Sequence, residues 1–234
     1  MKKHVPNFLT SLSLLSGCIA TVMAFNGEYF WVVVWVLIAA FFDFSDGFMA
    51  RLLKAYSPMG KELDSLSDMV SFGVAPSVTL FTFLSQNVAR ISQEPFVIQY
   101  LPYIAFLIAI FSGLRLAKFN IDERQSESFI GLNTPANAMF WVSLCYGVTH
   151  NALYINSGLI YTVMVGIIVF SFLLVSEIPM FSLKIKSLKL KGNEYRYFLI
   201  LFTLAMVIYI GLMGIAGGIL LYIALSIIIS RNRE

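Results

Sequence analysis

The sequence predicts an all-α fold: a polytopic integral membrane bundle of about eight transmembrane helices with both termini in the cytoplasm. Three observations carry this expectation. The 234 residues are 59% hydrophobic and only 12% charged, about half the charged fraction of a soluble domain. Apolar runs of about twenty residues, the length that spans a bilayer as helix, recur along nearly the whole chain. Finally, fifteen of the sixteen Lys and Arg residues fall on one side of the resulting map, with only Arg90 on the other. That asymmetry orients the bundle by the positive-inside rule.

The expected spans are roughly 7–26, 29–52, 60–84, 97–118, 133–149, 157–177, 194–211 and 213–230. The first lies within "MKKHVPNFLTSLSLLSGCIATVMAF" and is read as a retained span, because its apolar stretch is long for a signal peptide. Pro6, Pro58, Pro95, Pro135 and Pro179 fall near span ends, and Pro76 inside the third predicts a kink. Gly214 and Gly218 stand at GxxxG spacing, which permits close helix contact. The run "SLKIKSLKLKGNEYR" is basic and interleaved with apolar residues, as a positive-inside loop or a segment at anionic headgroups would be. Cys18 and Cys145 sit in apolar runs and read as packing residues. No basic arm suited to nucleic acid is present. The chain reads as one integral membrane domain over 1–234, with a core over 1–185 and two further C-terminal helices over 190–234.

Carboxylates are costly in such a chain, yet Asp43, Asp46, Asp64 and Asp68 crowd into one short region. Asp43, Asp46, Gly47 and Ala50 share a face at the predicted cytoplasmic end of the second span. Gly60, Asp64 and Asp68 share a face at the start of the third, and only "LLKAYSP" separates the two. Two antiparallel neighbours would therefore bring the acidic faces to one depth. Four gathered carboxylates repel one another unless cations neutralise them. Their charge suits two divalent ions, and their hard oxygens suit Mg²⁺ or Mn²⁺. Paired metals of this kind clamp phosphoryl groups. Gly47, Ala50 and Gly60 leave room for a bulky ligand, and Arg51 offers a fork for phosphate. The twelfth-position Glu of an EF-hand is missing after Asp43.

The pattern Asp43-x2-Asp46-Gly47-x2-Ala50-Arg51-x8-Gly60-x3-Asp64-x3-Asp68 resembles the complete signature of the CDP-alcohol phosphatidyltransferases. The resemblance implies a helical membrane enzyme of six or more spans, usually a homodimer, that moves a phosphatidyl group from a CDP-linked lipid to an alcohol and releases CMP. It further implies that Asp43, Asp46, Asp64 and Asp68 ligate two divalent cations facing the cytoplasm, and that Asp68 is the general base. By the same resemblance, Asp43, Asp46, Gly47, Ala50, Arg51, Gly60 and Asp64 bind the CDP moiety.

The stretches "PNFLTSLSLLSGCIA", "SGLRLAKFN", "GLNTPANA" and "SEIPMFSLK" resemble the small phosphatidylserine synthase branch of that family, although Asn133 stands where that branch carries Pro. This branch implies CDP-diacylglycerol and L-serine as substrates, phosphatidylserine and CMP as products, and a prokaryotic inner membrane. Arg115, Lys118 and Asn120, at the predicted cytoplasmic end of the fourth span, are the candidates for acceptor or phosphate binding. Asn7, Thr10 and Ser13 on the first span either contact CDP or pack, and Glu177 lies within reach of the site. Glycerol 3-phosphate or inositol phosphate as acceptor is the alternative within the family. A divalent-cation transporter is the alternative outside it, although transport sites favour the midplane rather than one face.

Overall fold

A computed structural model of the chain describes residues 4–122, 129–151, 153, 155–181 and 193–231. Lys2, Lys3, Arg124, Arg233 and residues 182–192 of the basic run lie outside the described residues. The fold is helical throughout. The strand pairing among the described residues is a two-residue bridge, Phe129–Ile130 against Pro179–Met180.

Helices α1 (His4–Phe25) and α2 (Tyr29–Leu52) form a hairpin. Its turn uses Gly27 at φ 72°, with Glu28 N–H donating to Met23 O and Gly27 N–H to Ala24 O. That is a Schellman closure, which satisfies the last carbonyls of α1. The same device ends α2. Lys54 adopts φ 50°, Ala55 N–H donates to Ala50 O, and Lys54 N–H donates to Arg51 O. The chain then reverses within a few residues into α3 (Pro58–Asp68). Ser57 caps α3, its hydroxyl accepting from Gly60 N–H at 3.0 Å, and Pro58 opens the first turn, where its missing N–H costs nothing.

The third span departs from the expected simple kink. Between α3 and α4 (Ala75–Asn87) the helix widens into a π segment over Met69–Val74, closed by Ala75 N–H donating to Val70 O. Pro76, which has no N–H to give, follows at once. The irregularity is therefore an inserted wide turn directly after Asp68.

The fourth span is also irregular, running from α5 (Pro95–Tyr100) through a 3₁₀ segment at Leu101–Phe106, where Pro102 sits, into α6 (Leu107–Ile121). Then come α7 (Thr134–His150), α8 (Ser157–Val175), α9 (Glu194–Ile210) and α10 (Gly214–Arg231). Asn133 explains its own presence: its Oδ1 accepts from Ala136 N–H at 2.9 Å and caps α7. Six helical segments among the described residues are long and apolar enough to cross a membrane. The count differs from eight because α7 has only 17 residues and because α9 and α10 form one continuous stretch, Glu194–Ile229. Those two still fold back on each other. A Cβ at Gly218 would collide with Thr203, and one at Gly214 with the backbone at Met206, so the GxxxG pair does bring two helices into backbone contact.

Two apolar cores sit inside the bundle. One joins α1, α2, the π segment, α4 and α7 through Ala20, Val36, Phe72, Val78 and Val142. The other centres on Phe140, Trp141 and Phe170, with the Phe140 and Phe170 rings stacked at 4.3 Å. The outer faces carry Phe8, Leu15, Phe41 and Ile208, apolar side chains that suit a lipid surround. Helix α1 is stitched to its neighbours by hydroxyls. Ser13 donates to Ala39 O, Ser67 to Thr10 O and Ser71 to Ser13 O, at 3.0, 3.3 and 3.1 Å. In this medium such bonds average about 0.6 kcal/mol each. They fix depth and rotation more than they add stability.

Gly17 makes the stitching possible, because a Cβ there would overlap both the hydroxyl and the backbone of Ser71. Gly17→Val should therefore force α1 off the π segment at a cost of about 1–3 kcal/mol. Thermal unfolding in detergent should show a clear drop in Tm. Gly158→Ala, whose Cβ would meet only the Asn156 side chain at 3.4 Å, should leave Tm nearly unchanged.

Candidate active site

The tight α2–α3 reversal brings the two acidic faces together as their spacing predicts. Asp43, Asp64 and Asp68 each offer a carboxylate oxygen, and these oxygens lie within 4.8 Å of one another. Asp46 stands outside this trio. It is 6% exposed, lines the adjoining cavity and has one carboxylate oxygen, Oδ2, without a partner among the described residues. Asp68 Oδ1 is likewise buried and unpartnered. The structure thus gathers three of the four aspartates into one chelating group and sets the fourth at its edge.

The donor set fits a small hard cation. Mg²⁺ or Mn²⁺ binds oxygen at about 2.0–2.1 Å, which places opposite donors about 4.2 Å apart. Neighbouring donors lie closer, about 2.9 Å, so three oxygens already within 4.8 Å of one another have the scale of such a donor set. The two orphaned oxygens supply further donors where an uncompensated buried carboxylate would otherwise be costly.

Beside the trio opens a cavity of about 480 Å³. Its walls include Asp46, Gly47, Ala50, Arg51, Gly60 and Asp64, six of the seven residues expected around a CDP group. Asp43 belongs to the trio instead. Gly47 faces open space, with no atom within 4 Å of where its Cβ would stand. Gly60 differs: it packs against the Asn7 and Ser57 side chains. Asn7 and Thr10 line the cavity, whereas Ser13 donates to Ala39 O and belongs to the packing. The sequence reading missed Tyr56, Lys61 and Phe119, which complete the wall. Lys61, next to Gly60, was the most detectable of these, since a cation beside the small-residue face suits a phosphate.

The three acceptor candidates separate. Lys118 Nζ pairs with Glu177 at 3.0 Å, and Asn120 donates to Ser65 Oγ at 2.8 Å while its carbonyl accepts from Lys61 Nζ at 3.0 Å. These two therefore tie the end of α6 to α8 and α3. Arg115 does not share that work. It is 7% exposed, its Nε has no partner among the described residues, and it interacts electrostatically with Asp68 and Tyr222. Its guanidinium also lies 5.8 Å from the Phe119 ring centre.

The trio makes a measurable prediction about metal. Removing one of three crowded like charges should raise the stability of the metal-free protein, so Asp43→Asn or Asp64→Asn should melt slightly higher than wild type in EDTA. Saturating Mn²⁺ should reverse the order. A ligand at 100 times its Kd stabilises by about 2.7 kcal/mol, a gain that the variants should largely lose. Thermal melts with and without Mn²⁺ check both signs.

Comparison with known proteins agrees with this geometry. The family model described as CDP-alcohol phosphatidyltransferase matches residues 3–230. A CDP-diacylglycerol–serine O-phosphatidyltransferase of Helicobacter pylori (strain 26695) is 30% identical over 242 residues, covering 98% of this chain and 96% of its own. Proteins of the same name from Bacillus subtilis (strain 168) and Methanocaldococcus jannaschii are 35% and 33% identical. The first covers 66% of this chain and 81% of its own, and the second 71% of each. With the aspartate trio, the adjoining cavity and the signature all in register, the chain belongs to the CDP-alcohol phosphatidyltransferase family.

Proposed function

We propose that this protein is a metal-dependent CDP-diacylglycerol–serine O-phosphatidyltransferase, forming phosphatidylserine and CMP. The observation that carries the reading is the aspartate trio opening onto a cavity walled by the remaining signature residues. The names of the similar proteins from Helicobacter, Bacillus and Methanocaldococcus support serine as the acceptor.

Asp43, Asp46, Asp64 and Asp68 would hold two divalent cations, Mg²⁺ or Mn²⁺. When bound, these neutralise the diphosphate and make CMP a better leaving group. The chain's own residues do the rest. Gly47 and Ala50 let the nucleotide approach α2 closely, and Arg51 and Lys61 face its phosphates from the cavity wall. Arg115 binds the serine carboxylate. Asp68 takes the proton from the serine hydroxyl as its oxygen attacks the lipid-side phosphorus. The bond from that phosphorus to the bridging oxygen breaks, and CMP leaves with the oxygen and its electron pair. Burial of Arg115 beside Asp68 excludes water, which would otherwise compete as acceptor.

The reading extends to placement. The lysines and arginines at the aspartate end support an active site facing the cytoplasm, two cytoplasmic termini and an even number of spans, eight in this reading. The bacterial and archaeal sources of the similar proteins support a prokaryotic cell membrane. A core over 1–185 with an added helical pair over 190–234 belongs to the same proposal. A homodimer within membrane lipid is part of the same proposal.

Purified protein with Mn²⁺ or Mg²⁺ and CDP-diacylglycerol should release CMP in proportion to L-serine, and far less with glycerol 3-phosphate or inositol phosphate. Equal or greater release with either phosphate would overturn the serine assignment. Asp68→Asn should stay folded, with the same shift in its metal-free Tm as the other trio variants, while losing at least about 10²–10⁴-fold in kcat. Arg115→Ala should raise the serine KM at least tenfold and leave the CDP-diacylglycerol KM within about twofold.

A further inference from the structure

Membrane bundles satisfy buried hydroxyls locally, and most of this chain obeys that rule. Thr10, Ser16, Thr21, Ser77, Thr79, Thr149 and Ser226 each donate to the carbonyl four residues earlier. Ser13, Ser67 and Ser71 bond across helices instead. Against that background, apart from Asp46, Asp68 and Trp141 Nε1, a group of buried polar atoms has no hydrogen-bond partner among the described residues: Ser112 Oγ and Arg115 Nε on α6, Thr134 Oγ1 and the Asn137 amide on α7, and Ser171 Oγ on α8. Arg115 is 7% exposed and the other four are 0–1% exposed. Asn137 is the extreme case, since neither its Oδ1 nor its Nδ2 has a partner among the described residues.

These residues converge on one depth. Ser112 abuts the π segment, with its Cβ 3.2 Å from where a Gly73 Cβ would stand. Arg115, one turn along α6 toward the aspartate end, interacts with Asp68. Ala138, next to Asn137, belongs to the same buried cluster as Phe72 of the π segment and Ala75 at the start of α4. Trp141, one turn above Asn137, touches Gly166 and Phe170 of α8, which sets Asn137 near the level of Ser171. Lys118 reaches Val175 O and Leu132 N–H donates to Leu173 O, which fixes α6, α7 and α8 in the same register. Asn137 therefore lies at about the level of the π segment that follows Asp68, and it does not line the nucleotide cavity.

A buried amide with four unmet hydrogen bonds costs several kcal/mol by transfer from water. Replacement by an apolar residue of similar shape would remove that cost. Packing therefore gives no reason for Asn137, whereas a polar ligand does. An amino acid presents an ammonium and a carboxylate side by side. Arg115 answers the carboxylate but repels the ammonium. The ammonium needs a neutral acceptor close by, and a further carboxylate there would add to the repulsion among the aspartates.

Resting on the serine-transfer reading above, we propose that Asn137 is the specificity residue for the amino-acid acceptor. Its Oδ1 accepts from the serine ammonium, its Nδ2 donates to the serine carboxylate beside Arg115, and the Thr134 and Ser112 hydroxyls complete the pocket. The ligand class is an α-amino acid bearing a β-hydroxyl. A hydroxy acid without the ammonium leaves Oδ1 buried and unpaired, and sites built on hydrogen bonds reject such analogues strongly.

The test follows CMP release by wild type, Asn137→Leu and Asn137→Ser with Mn²⁺ and CDP-diacylglycerol, titrating L-serine and 3-hydroxypropanoate separately. Both variants should raise the serine KM at least tenfold and keep the CDP-diacylglycerol KM and the Mn²⁺-induced rise in Tm. The preference of wild type for serine over 3-hydroxypropanoate should shrink at least tenfold in kcat/KM. Asn137→Leu should also melt at or above the wild-type temperature, which a structural asparagine would not allow. A serine KM within twofold of wild type, in whichever variant retains the Mn²⁺ response, overturns the assignment. A fall in kcat alone, with the substrate preference unchanged, overturns it as well. Failure of the wild-type protein to use serine at all would sink the reading beneath it, so the two failures are distinguishable.

Discussion

Everything at the site depends on holding mutually repelling carboxylates together in a low-dielectric setting. Asp43, Asp64 and Asp68 approach within 4.8 Å only because the backbone leaves them little choice. A left-handed residue at Lys54 and the Ser57 cap fix how α2 turns into α3. The hydroxyls of Ser13, Ser67 and Ser71 then lock both helices to α1. None of these bonds is strong alone. Their combined effect is geometric, and geometry decides whether three acids form a chelating group or three separate liabilities.

The same reasoning separates the two sides of the trio. The face toward α1 and the α2–α3 turn is a roomy cavity of about 480 Å³ lined by small residues and cations, the shape and charge that suit a nucleotide diphosphate. The face toward α6, α7 and α8 is closed, with buried polar atoms and the buried Arg115. A transferase with one large anionic donor and one small acceptor needs this asymmetry. In the proposed reaction the phosphorus would lie between the two faces, with Asp64 lining the cavity and Asp68 interacting with Arg115 on the closed side. The π segment after Asp68 contributes here, because its extra residue shifts the rotation of everything above it relative to α3.

Much of this was legible in the sequence, for identifiable reasons. Carboxylate spacing in helices is a matter of periodicity, so Asp43 with Asp46, and Asp64 with Asp68, announced shared faces, and a short connection announced their meeting. Small residues at Gly214 and Gly218 announced the close contact of α9 and α10 in the same way. What stayed hidden depends on contacts between residues distant along the chain. Lys118 and Asn120 looked like free polar groups at a span end, yet Glu177, Ser65 and Lys61 engage them from other helices. Asp46 shares a helical face with Asp43 but not its chelating group, because the position of α3 decides which of the two acids it meets. Asn137 carried no periodic signal, since its significance lies in the bonds it does not make. The π segment was hidden too, because Pro76 fits an ordinary kink equally well.

The ties at the end of α6 give Arg115 its role. An arginine at the membrane surface would swing and pair with headgroups. Here Asn120 and Lys61 fasten α6 to α3, and Lys118 with Glu177 fastens it to α8. The exposed Lys118–Glu177 pair adds little energy by itself. Together, though, these contacts hold the helix one turn below Arg115 on two sides, so the guanidinium stays buried beside Asp68. Bound cations would take up the charge of the aspartates and leave Arg115 with an unmet positive charge in a dry pocket. In the proposed reaction the carboxylate of an incoming amino acid would be the partner that restores neutrality there. The acceptor would then be held most tightly once the metal centre is complete, which would couple acceptor binding to the state in which transfer can occur.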